Sequence, residues 1–212
     1  MSEDITVTLA FVSTMSGFIP VLAALYNYKH LDKVLKIAAL FFLISCTFDP
    51  IMWIMVNLGE KNNMPMMHVN VATSLVFYTL IYYCLFNNAV LKKVTLAIAA
   101  ITLTIMLAFN HDIHQYPTVS NTALSISLIV LSLIYFYQLL NPLKFVDIEK
   151  QGLFWINAGV LFYSSVNIFL FMILTQIPVD VQKNYLVINS ITNIIANILF
   201  SVGLLCKPQK TA

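Results

Sequence analysis

Arginine is missing from this chain of 212 residues, and charge of either sign is scarce. Eleven lysines and nine acids amount to 9% charged residues, against 60% hydrophobic ones. A soluble domain carries ~25% charged and ~45–50% apolar residues. Twenty charges are too few to solvate a globule of this length, so the water-soluble classes are excluded and the expected solvent is a lipid bilayer. Without arginine there is no planar fork to clamp phosphate or carboxylate, and no nucleic-acid partner is expected at a net charge of +2. Cysteine is nearly as rare. Cys46, Cys84 and Cys206 fall in or at the ends of apolar runs and read as small buried side chains rather than a disulfide framework. With five glycines in all, there is no phosphate-cradling loop, and neither HExxH nor GxSxG occurs. The start, MSEDITV, is acidic where a secretory leader is basic, so no cleaved leader is expected.

What is abundant is long apolar sequence. Seven segments, 5–26, 34–57, 66–86, 94–110, 121–140, 153–174 and 185–206, are each long enough or nearly so to cross as a helix. Between them lie turn and charge signals such as LGEKNNMP, NPLKFVDIEKQG and TQIPVDVQKN. The segments are continuously apolar, which excludes a β-barrel with its alternating faces. Backbone groups in lipid must pair within their own segment, so helices are required. The connections are short, and consecutive helices therefore run antiparallel. The reading is an all-α membrane protein, a single seven-transmembrane-helix bundle.

Lysines set its orientation. With the N-terminus outside, Lys29, Lys33, Lys36, Lys92, Lys93, Lys144, Lys150, Lys207 and Lys210 are cytoplasmic, and only Lys61 and Lys183 are exterior. That asymmetry predicts N-out and C-in, in the inner membrane. A 3+1+3 grouping of the segments is compatible with it.

Polar residues inside the segments carry the functional question, since each must find a partner within the bundle. Asp49, in ISCTFDPIMW, lies eight residues from the outer end of the second segment, ~12 Å below that surface at 1.5 Å per residue. Pro50 frees a carbonyl beside it. The seventh segment carries Asn189, Asn193 and Asn197 on one stripe. The third carries Asn70, Ser74, Tyr78 and Tyr82, and the sixth Asn157, Ser164, Ser165 and Asn167. Counted from the outer ends, Asp49, Ser74, Asn167 and Asn193 share one layer. This predicts an outward-facing polar pocket, with Asp49 as anchor and Ser74, Tyr78, Asn167, Asn193 and Asn197 as ligand-binding neighbours. The competing reading for each amide is a hydrogen bond between helices, ~0.6 kcal/mol on average.

His68, His111 and His114, near Asp112 and Glu60, are the candidate ligands for a metal in the outer loops. An H-x-x-H pair in a loop has no fixed geometry, and no metal is expected. The seventh segment has no lysine to hold a retinal Schiff base, so no cofactor is expected. One deep carboxylate lacks a second member for acid–base work. Gly17, Gly159 and Gly203 read as points of close helix approach, and Pro20 as a kink in the first segment.

The stretches FWINAGVLFYSSVNIFLF (154–171) and ITNIIANILFSVGLL (191–205) resemble small seven-span proteins common in Bacteroidota. That resemblance implies a sensory role beside a membrane sensor kinase and assigns no catalytic residue. The topology is also similar to SWEET and PQ-loop transporters, but the fifth and sixth segments lack the prolines of that family. The expectation is a receptor-like component acting through a partner protein. A small-solute transporter or channel is the first alternative and an intramembrane lipid hydrolase the second.

Overall fold

A computed structural model describes residues 3–59, 62–110, 112–140, 147–174 and 179–206. The side chains of residues 3, 4, 53, 56, 171, 173, 174 and 179–186 fall outside the description. So do His111, Lys61, Lys144, Lys207 and Lys210.

The described residues are helical, in the order α1 (Glu3–Ser16), α2 (Phe18–Asn27), α3 (Lys33–Asn57), α4 (Met64–Leu85), α5 (Ala89–Phe109), α6 (Thr118–Leu140), α7 (Gly152–Leu174) and α8 (Val179–Leu205). α1 and α2 form one span, broken at Gly17. Pro20 has no N–H to offer the Ser16 carbonyl, and the Gly17 N–H turns back to Thr14 O at 3.2 Å. With that pair counted once, seven helices are long and apolar enough to cross a membrane.

The helix ends follow local chemistry. Asp32 Oδ1 accepts from Leu35 N at 2.8 Å and caps α3. Asn62 Oδ1 accepts from Met64 N, and Pro65 occupies the first turn of α4, where its missing N–H costs nothing. Asn88 caps α5 through Val90 N at 2.8 Å, so that helix starts at Ala89 rather than at 94. Its first-turn Lys92 folds its ammonium over the Tyr83 ring, 5.2 Å from the centroid. Lys36 does the same on Tyr28. The lysines that ended the hydropathy signal thus lie within helices. α3 continues unbroken through Pro50.

Packing follows the chain. Each span contacts the next, α8 closes on α1 and α2, and α4 also touches α6. The result is a ring of seven spans in chain order. N-face denotes the end where α1 begins, and C-face the end where α8 stops. Inside, Phe42 stacks on Phe200 with centroids 4.6 Å apart, and Phe41 meets Tyr78 at 4.8 Å. Outside, Phe11, Leu22, Leu25, Leu107 and Phe169 are each more than 60% exposed. An apolar exterior of this extent is stable only against lipid.

The tightest seam joins α7 and α8. A Cβ on Gly203 would lie 2.7 Å from the Gly152 carbonyl oxygen, and one on Gly159 would meet the Phe200 ring at 2.5 Å. Gly17 is different. Its added Cβ meets nothing nearer than 3.3 Å, so its role is in the break of the first span rather than in close approach.

Candidate ligand site along a buried polar spine

The inward stripes of α3, α4, α6 and α7 assemble a column of polar groups. Nearest the C-face, the Tyr82 hydroxyl donates to Asn157 Oδ1 at 2.8 Å and shares a 2.7 Å hydrogen bond with Ser132. Asn157 also donates to Leu153 O at 2.8 Å. These three polar residues are at most 2% exposed, as are Phe86, Ile156 and Leu204 around them. The triad ties α4, α6 and α7 together and is enclosed by apolar packing.

One turn back along α4, Tyr78 has Tyr82 and Tyr163 as electrostatic neighbours. Tyr163 in turn lies within reach of the Asp49 carboxyl and beside Asn167. Asp49 has Cys46, one turn earlier on α3, as a further neighbour. Among the described residues the Asp49 side chain has neither an ion-pair nor a hydrogen-bond partner. Asn167 is 0% exposed, its amide meets the Tyr163 hydroxyl only at the margin of hydrogen-bonding geometry, and it has no other partner among the described residues. Above it, at the N-face, burial and then Tyr163 hold the Tyr116 phenol above the ordinary tyrosine range.

Asp49, Tyr78 and Asn167 therefore converge around Tyr163. Ser74 sits one turn from Tyr78 on the same stripe of α4, half-buried. Asn193 and Asn197 face elsewhere. Asn193 donates to Ser13 Oγ at 3.0 Å and Asn197 to Ser16 Oγ at 2.8 Å, fastening α8 to α1. Asn27 extends the same seam by donating to Leu204 O at 2.8 Å. Asn193 is level with Ser13, eight residues past Ile5, so it shares the depth of Asp49 but belongs to another interface. Asn189 Oδ1, also in the N-face half, is buried without a partner.

The histidines lie in a loop network. His68 Nε2 pairs with Gln115 O at 3.0 Å, and Asn62 donates to His114 O at 2.9 Å, linking the α3–α4 and α5–α6 connections. Among the described residues no three His, Cys, Asp or Glu side chains meet to hold a metal, and His111 lies outside them. The three cysteines are free thiols.

Tyr163 and Ser132 escaped the sequence reading. Tyr163 precedes Asn167 by four residues and so shares its face, which is a usable signal. Ser132 has none, because a serine among leucines is indistinguishable from a solitary back-bonding hydroxyl.

Further unpartnered polar atoms occur at the N-face end of α6, on Thr118, Ser120 and Asn121. Each buried, unsatisfied group costs ~1–3 kcal/mol unless water or a ligand meets it. The arrangement brings a carboxyl, an amide and phenolic hydroxyls into one region of the bundle. These features define a class, seven apolar helices in a ring around a polar spine, as in a multi-pass membrane protein. No protein-family model, curated protein or solved structure significantly matches the chain.

Proposed function

We propose that this is a receptor-like membrane protein that holds a small polar ligand in its N-face half and signals through a partner. The observation that carries the reading is Asn167, fully buried with the Tyr163 hydroxyl as its polar neighbour, near an Asp49 carboxyl that has no partner among the described residues. Asp49 anchors the ligand, with Asn167, Tyr78 and Ser74 as neighbours, while Asn193 and Asn197 hold the α1–α8 seam on which the ring closes. The lysine asymmetry supports an N-face directed outward and a C-face in the cytoplasm, in the inner membrane. Output passes through the short C-face connections to a partner such as a membrane sensor kinase, as the resemblance to the Bacteroidota proteins implies.

A transporter needs the polar path to continue to the C-face. The Tyr82–Ser132–Asn157 triad, at most 2% exposed and bonded within itself, supports a receptor instead, with the Tyr135 hydroxyl buried beside Tyr82 as a further polar group in that half. A lipid hydrolase needs a metal or a second carboxylate beside Asp49.

The test is a thermal-shift screen of the nanodisc-reconstituted protein against amino acids, polyamines and sugars. At least one compound stabilises the wild type, and the shift disappears in Asp49→Asn but persists in Tyr137→Phe, on an exposed surface. Persistence in Asp49→Asn rejects the site. Uptake of the hit into proteoliposomes rejects the receptor reading in favour of transport.

A further inference from the structure

A recess lies away from the polar spine, between α5 and α6, with Met172 of α7 at one edge. Its volume is about 540 Å³, within the ~300–1,000 Å³ range of small-molecule sites. Large side chains form its rims, notably Ile101 and Ile105 on α5 and Ile126 and Val130 on α6. The floor is made of small residues, Thr102, Ala123 and Ser127, all buried. The floor is closed where Thr102 Oγ1 and Ser127 Oγ meet at 2.5 Å, drawing the two helices together. One hydroxyl donates to the other, which donates in turn to a backbone carbonyl of its own helix, so both hydroxyls of the floor are engaged. The recess is thus a trough cut into the bundle, its shape fixed by a small-residue floor under β-branched rims.

Position and length identify what fits. The trough runs along α6 from Thr118 to Val130, twelve residues or ~18 Å at 1.5 Å per residue. One leaflet of a ~30 Å hydrocarbon core is ~15 Å deep. The trough therefore begins at the N-face boundary and ends near the middle of the membrane. No charged residue lines it, and Thr118 marks its N-face end, at the level where a lipid's polar part begins. From these features we infer that the α5–α6 trough is a binding site for one acyl chain of a phospholipid from the N-face leaflet. This site is independent of the ligand proposed at Asp49.

The experiment uses the full chain in nanodiscs made with a phospholipid whose acyl chain ends in a photoreactive diazirine. After irradiation, adducts should concentrate at the deep end of the trough, on 98–101 and 126–130, several-fold above those on other lipid-facing surfaces such as Val76. Native mass spectrometry should show one phospholipid retained after detergent transfer. Ala123→Leu, which raises the floor, should lower that retention about tenfold, the loss of roughly two buried methylenes. Val76→Leu, on the exposed face of α4, should leave it unchanged. Should Ala123→Leu fail to fold, Ile126→Ala lowers a rim without filling the trough and must also reduce retention. Adducts spread in proportion to exposure would overturn the inference. So would a dimer that shields both stretches from the probe, which would make a second copy the occupant.

Discussion

Replacing Gly203 with alanine places a methyl group 2.7 Å from the Gly152 carbonyl oxygen and 3.0 Å from Ile156 Cγ1. The first of these is backbone, and it can recede only if α7 and α8 move apart. Those two helices form the most extensive contact of the bundle, anchored one and two turns away by Phe200 and by the fully buried Ala196. Overpacking of this kind costs about 1–3 kcal/mol. Alanine's helix preference over glycine returns at most ~1 kcal/mol. With that ~1 kcal/mol returned, the net loss is about 0–2 kcal/mol, a fall in Tm of up to roughly 8 °C for a chain of this size. Gly159→Ala meets the Phe200 ring, which cannot swing freely because it stacks on Phe42, and it should lose a similar amount. Gly17→Ala is the internal comparison: its added methyl meets only the Thr14 carbonyl oxygen, at 3.3 Å, and needs a shift of a few tenths of an ångström, so it should cost less than Gly203→Ala. The assay is thermal unfolding in one detergent, followed by tryptophan fluorescence. If Gly203→Ala melts at or above Gly17→Ala, the close-approach argument is refuted.

Other outcomes follow from the same geometry. Tyr82→Phe strips the shared hydroxyl from Ser132 and Asn157. It should cost about 1–3 kcal/mol by leaving buried groups unpaired, and Asn157→Ala in that background should cost much less than in the wild type. A double-mutant cycle on thermal stability measures this, and full additivity would show that no such triad exists. Cys206, just beyond the apolar core of α8, reports sidedness. Burial pushes its thiol above the usual range, so its thiolate fraction at pH 7 is below that of a free cysteine and increases as the pH is raised. Labelling of intact cells with an impermeant maleimide at pH 8.5 should therefore spare Cys206 and modify it after lysis. Equal labelling in both would reverse the proposed orientation.

Several features were legible because they depend on composition and spacing alone. Seven spans follow from the length of uninterrupted apolar sequence, whichever neighbours each helix acquires. The polar stripe of α4 is visible as Asn70, Ser74, Tyr78 and Tyr82, since residues four apart share a helix face. The same spacing could not separate Asn167 from Asn193. Both are amides at one depth, yet one lies in the spine beside Tyr163 and the other is bonded to Ser13. Gly152 reads as a loop residue beside Gln151, and only contact with Gly203, fifty-one positions on, reveals its steric role.

The sequence by itself determined the solvent, the secondary structure and the number of spans. Too few charges rule out water, and unpaired backbone groups in lipid leave helices as the solution. The tertiary structure decided which polar groups meet. It closed the ring by fastening α8 to α1, bonded Tyr82 to Ser132 and Asn157, and brought Asp49 and Asn167 to Tyr163. Helical periodicity fixes the face on which a side chain lies. Only the packing of one helix against another fixes what it faces.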